Sequence, residues 1–168
     1  MTVNIKSIAQ PELHKSDCLI VPVYTDGKLS SAAQSLDHAG HNNLTQLLKR
    51  GDISGKAGEA LLLPHVSGIK AQRLLLLGCG DNNDISPADA KKIINTLLEQ
   101  LNNAHIKSAT LLSESLSVAG RSPEWLSEQI ARAIALSSYS YNATLSKKPT
   151  KPSFKTLTLA QKPNAKLK

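Results

Sequence analysis

The 168-residue sequence predicts an α/β domain whose sheet is mainly parallel, with one antiparallel hairpin. Three observations carry that reading. The runs from Asp17 to Tyr24 and from Leu74 to Leu77 are continuously apolar, as expected of strands covered on both faces. Stretches between such runs place apolar residues three and four apart, the period of an amphipathic helix. Ser86-Pro87 and Ser122-Pro123 each precede such a stretch and mark helix starts.

In chain order, Val3, Ile5 and Ile8 suggest a first strand that ends near Pro11. Asp17–Tyr24 is the clearer second strand, although Pro22 suggests a bulge or an edge position, since proline cannot donate to a ladder. Asp26-Gly27 turns the chain. Leu29, Ala32, Ala33 and Leu36 fit a short helix, and a second helix covers Asn43 to Arg50, stopped by Gly51. Gly55 and Gly58 bracket a turn before EALLLPHV, and the strand RLLLLGCG follows so closely that the two form a hairpin. The next helix has Ser86 as N-cap, Pro87 first, Asp89 in its first turn, and a stripe of Ala90, Ile93, Ile94, Leu97, Leu98 and Leu101. SATLLSESL, from Ser108, reads as a strand. The helix from Ser122-Pro123-Glu124 carries Leu126, Ile130, Ala133 and Ile134 on one face. FKTLTLA, Phe154 to Ala160, alternates like a strand that adds to the same sheet. Two parts are expected: an α/β domain over 1–146 and a lysine- and proline-rich segment over 147–168 holding this last strand.

A chain of this length can bury about 70% of its unfolded surface, so no metal or disulfide is needed to hold the core. Cys18 and Cys79 both sit in apolar runs and read as buried reduced thiols. No apolar run approaches the roughly 20 residues that span a membrane, and MTVNIKSIAQ lacks the apolar centre of a signal peptide. A cytoplasmic protein is expected. The net charge of +7 comes from the end of the chain, where Lys147, Lys148, Lys151, Lys155, Lys162, Lys166 and Lys168 stand without an acid. Without those seven, 13 of the 20 basic residues face 13 acids, so the body is formally neutral. A lysine tail broken by Pro149, Pro152 and Pro163 reads as a solvated linker that touches phosphates only nonspecifically. Few aromatics are present, which argues against a base-stacking surface.

Gly78-Cys79-Gly80 is the one stretch that looks like a cofactor loop, because it joins a strand to a helix. A dinucleotide fingerprint needs a third glycine three residues later, and Asn83 stands there. Asp81 and Asp84 put negative charge where a phosphate would lie, and Glu99, at the spacing of a ribose acid, falls inside a helix. The loop therefore reads as a permissive corner. His38 and His41 have no cysteine or carboxylate cluster to complete a zinc set; His14, His65 and His105 are isolated. Asp81, Asn83 and Asp84 lack the glycine that a calcium loop needs, since Ser86 stands at the sixth position. No base is assigned to Cys79. Catalytic, cofactor-binding and metal residues are all expected to be none.

Several stretches in succession carry more information than any motif. LLKRGDISGKAGEALLLPHV (47–66), RLLLLGCGDN (73–82), IINTLLEQLNNAHIKSATLLSESL (93–116) and WLSEQIARAIALSSYSYNATLSKK (125–148) together resemble the N-terminal domain of bacterial leucyl aminopeptidases, the cytosol aminopeptidase family. The resemblance implies a macro-domain-like three-layer fold, a mixed sheet between helices. It implies that catalysis belongs to a separate C-terminal domain, where two divalent metals, zinc or manganese, activate water to remove N-terminal residues from peptides. The signature of that half, N-T-D-A-E-G-R, is absent from this sequence. The chain itself is accordingly expected to be inactive, with the catalytic domain and the neighbours in a hexamer as its partners. Two alternatives accompany this expectation: a DNA-binding accessory module, permitted by the basic charge, and a nucleotide binder of the ADP-ribose kind, suggested by fold analogy alone.

Overall fold

The computed structural model describes residues 2–8, 10–64, 66–80, 85–113, 116, 118–143 and 155–161. Its strands are β1 (Thr2–Ser7), β2 (Cys18–Val23), β3 (Ala60–Leu63), β4 (Arg73–Gly78), β5 (Ser108–Leu112) and β6 (Thr156–Gln161). Its α-helices are α1 (Ser31–Ala39), α2 (Asn43–Arg50), α3 (Pro87–Asn103) and α4 (Pro123–Ala143), and a 3-10 turn covers Pro11–Leu13. The strands form one sheet in the order β1-β6-β5-β2-β4-β3. All neighbours are parallel except β3 and β4, the expected hairpin, which pair antiparallel with Leu62 opposite Leu75.

Alternation along the strands sends side chains to two faces, and each face acquires its own core. Cys18, Ile20, Leu75, Leu77, Ala109, Leu111, Leu157 and Leu159 pack with α3 and α4. Leu19, Val21, Val23, Leu74, Leu76, Leu112 and Ala160 pack with α1 and α2 on the other side. The result is three layers with the sheet in the middle, the macro-like architecture expected from the resemblance. The whole predicted stripe of α3 is buried. Each buried leucine or isoleucine there contributes about 1.5–3 kcal/mol. Ser86 caps α3 by accepting the Asp89 N–H at 3.1 Å, and Pro87 is its first residue. Gly51 ends α2 with φ of 79°, a left-handed conformation that glycine adopts without strain.

Pro22 differs from the sequence expectation, and β5 stops at Leu112 although the stretch SATLLSESL reads as a strand. Pro22 lies neither on an edge strand nor at a bulge: β2 is interior, flanked by β4 and β5. In a parallel strand successive residues address opposite neighbours. The Val23 carbonyl accepts the Cys79 N–H, so Val23 faces β4 and Pro22 faces β5. Pairing with β5 ends at Ile20↔Leu111, two residues earlier, so the missing N–H of Pro22 falls where no ladder partner remains. The last strand, read from Phe154, is seen at Thr156–Gln161; Phe154 lies outside the described residues. As expected, this strand adds to the same sheet, where it stands between β1 and β5 and pairs with both.

Candidate functional site

Open parallel sheets place ligands beyond the carboxyl ends of their strands. Here that crest holds Val23, Gly78 and Leu112, followed by Tyr24-Thr25 and Cys79-Gly80. The backbone donors of the glycine loop are all spent within the protein. Gly78 N–H donates to the Glu59 carbonyl (2.7 Å), Cys79 N–H to the Val23 carbonyl (2.9 Å), and Gly80 N–H to the Gly55 carbonyl (2.8 Å). The Gly80 carbonyl accepts both the Thr25 N–H (3.0 Å) and the Thr25 hydroxyl (3.3 Å). A phosphate cradle needs free N–H groups converging on one point, and these three have none to offer. Asp81 to Asp84 lie outside the described residues.

The donors are consumed because the segment from Ile53 to Glu59 folds down over the crest. Ile53 is buried, and the Glu59 carboxylate gathers the segment by accepting from Ser54 N–H (3.1 Å), Ser54 Oγ (2.5 Å) and Lys56 N–H (3.1 Å). The Ser54 hydroxyl is the chief cause that holds the Glu59 carboxyl below the usual carboxylate range. Approach is close enough that a Cβ on Gly78 would sit 2.1 Å from the Lys56 carbonyl oxygen. In the sequence Gly55, Gly58 and Gly78 read as turn residues, with no sign that they touch one another.

The opposite, amino-terminal edge holds the one described ion pair with substantial burial. Asp17, just before β2, receives Arg73 Nη2 at 2.9 Å and the Lys107 N–H at 2.8 Å; its own N–H donates to Ser108 Oγ at 3.3 Å. Arg73 also donates to the Ala104 carbonyl at the end of α3 (2.7 Å). One carboxylate thus ties β2, β4, β5 and α3. Burial pushes the Asp17 pKa up, but the Lys107 N–H and the Arg73 guanidinium outweigh it, and the carboxyl lies below its ordinary 3.8. Since the folded pKa is the lower one, this contribution is present above pH 3.8 and is lost as pH falls through the folded value. Asp17→Asn should lower stability by about 2–3 kcal/mol, the scale of hydrogen bonds to a charged group. Urea melts at pH 7 and pH 3 test this; an unchanged midpoint at pH 7 would show that the pair contributes nothing.

The remaining candidates stay apart. Cys18 and Cys79 are free and buried, and burial pushes each thiol up to about 12, so neither is a thiolate near neutral pH. His38 is exposed on α1 and His41 is exposed beyond its end with φ of 58°. His14 bonds Thr110 Oγ1 through Nε2 at 3.0 Å; burial, then Lys6, lower its pKa. His105 is exposed, and His65 lies outside the described residues. Glu99 is exposed on α3. Among the described residues no three His, Cys, Asp or Glu side chains gather as a metal set. No described helix is long and apolar enough to cross a membrane.

These features define a macrodomain-like α/β domain whose crest is closed over its own glycine loop. Residues 20–148 match the cytosol aminopeptidase family, N-terminal domain, and the chain belongs to that family. It is 35% identical over 154 residues to a probable cytosol aminopeptidase of Idiomarina loihiensis, covering 90% of this chain and 30% of that protein. With the probable cytosol aminopeptidase of Shewanella denitrificans the identity is 34% over 148 residues, 88% of this chain and 29% of the relative. The chain thus spans about 30% of the length of the curated relatives it matches. Among solved structures, a tomato leucine aminopeptidase variant superposes with a TM-score of 0.71 at 18% identity, over 95% of this chain and 32% of that one. A Trypanosoma brucei macrodomain in complex with ADP-ribose gives 0.66 at 12% identity, over 95% and 63%. At such identities these two likenesses speak for the fold.

Proposed function

We propose that this chain serves as the noncatalytic N-terminal domain of a leucyl aminopeptidase, the whole enzyme removing N-terminal amino acids from peptides in the cytoplasm. The observation that carries the reading is the family match across most of this chain set against relatives more than three times as long. Hydrolysis would belong to the part of those relatives that this chain does not match. Two divalent metals, zinc or manganese, would supply the water-activating chemistry there, and hexamer neighbours would complete the assembly. The purified chain should show no turnover of leucine p-nitroanilide with added manganese, whereas metal-dependent turnover free of host peptidase would overturn the proposal.

A further inference from the structure

The body of the chain is formally neutral, yet its charges are not evenly spread. Lys15, Lys70 and Lys107 lie before the amino-terminal ends of β2, β4 and β5, three adjacent strands of the sheet. All three are exposed, and with Ser16, Ser108 and Gln72 they line an open depression of about 630 Å³. Asp17 is the acid in this lining, and its carboxylate is already engaged by Arg73 and the Lys107 N–H. Among the lining residues three lysines stand against one acid, Asp17, which also pairs with Arg73. Adjacent strands are about 4.8 Å apart, so the lysine-bearing strand starts extend over about 10 Å across β4, β2 and β5. Neutral donors stand between them. Ser108 Oγ accepts the Asp17 N–H, which leaves the hydroxyl proton to donate, and the exposed Gln72 side chain adds an amide.

We propose that this depression binds a compact polyanion carrying two or more phosphate groups. Lysine ammonium groups serve phosphate as mobile point charges, without the planar match that arginine offers a carboxylate. A spread of about 10 Å suits linked phosphates better than a single one. The site lies at the end of the sheet opposite the crest, and Lys155 donates its N–H to the Lys107 carbonyl at 2.6 Å.

Calorimetry on the full chain with sodium tripolyphosphate tests the proposal. Saturable binding near one per chain is expected, weakened at least tenfold by the combined variant Lys15→Gln/Lys70→Gln/Lys107→Gln. Replacing Lys49, Lys91 and Lys92 by glutamine, or the lysines at 147, 148, 151, 162, 166 and 168, should leave the affinity within twofold. Inorganic phosphate should bind at least tenfold more weakly than tripolyphosphate. Circular dichroism establishes that each variant is folded. No saturable heat at millimolar tripolyphosphate, undiminished binding by the pocket variant, or loss of binding with the tail lysines would each overturn the proposal. Tighter, competing binding of a short DNA duplex through the same three lysines would also overturn it, in favour of a nucleic-acid surface.

Discussion

A chain ending at Ser146 should not reach the native fold. Strand β6 pairs with β5 along Ser108–Leu112 and with β1 along Thr2–Ser7, so its removal leaves β1 without a neighbour and opens the flank of β5. Leu157 and Leu159 are fully buried against the α3–α4 layer. Losing both costs about 3–6 kcal/mol at about 1.5–3 kcal/mol per side chain. A typical domain has only about 5–15 kcal/mol in total. The unpaired β5 edge would also present free backbone donors and acceptors to other chains. Urea denaturation with circular dichroism should show no cooperative transition, and light scattering should show association. A sharp transition with the full chain's midpoint would mean that residues 1–146 fold alone and that β6 is dispensable.

Gly78→Ala should strongly destabilise the crest. The new Cβ would lie 2.1 Å from the Lys56 carbonyl oxygen and 3.1 Å from the Gly55 carbonyl carbon, both backbone atoms that cannot swing aside. The segment from 53 to 59 would have to lift, breaking the Gly78–Glu59 and Gly80–Gly55 hydrogen bonds. Overpacking costs about 1–3 kcal/mol, and each lost hydrogen bond adds about 1 kcal/mol, so a loss of about 3–5 kcal/mol is expected. Gly80→Ala is the control. Its Cβ would meet nothing nearer than 3.5 Å, and only the φ of 77° resists it, at about 1–2 kcal/mol. Urea midpoints of the two variants should differ accordingly. Equal midpoints would mean that the crest yields freely and that the closed loop could open to a ligand.

Much of the helical layer was legible because its signals are local. Ser86, Pro87 and Asp89 occupy the positions that a helix start demands, and the stripe from Ala90 to Leu101 repeats at helical period. The β3–β4 hairpin was legible for a similar reason: its strands are close in sequence. Strand order was not, since an apolar alternation such as Leu157–Leu159 says that a strand exists and nothing about its neighbours. Asp17 and Arg73 are 56 positions apart, and neither carries a local sign of its partner. The lysines of the amino-terminal edge had a faint signal, Lys15-Ser16 and Lys107-Ser108 each preceding an apolar strand. Only parallel pairing brings those pairs side by side.

For Gly78-Cys79-Gly80, the sequence by itself determined what the loop lacks, a third glycine where Asn83 stands. It also determined the class of fold, through periodicity and caps, and the family, through an ordered succession of stretches. Tertiary structure decided how the loop is used: three backbone N–H groups that a ligand could have taken are bonded to Glu59, Val23 and Gly55. The physical reason is the reach of each interaction. Caps, turns and helical stripes are set within a few residues, whereas a backbone donor is satisfied by whatever the folded chain brings within about 3 Å.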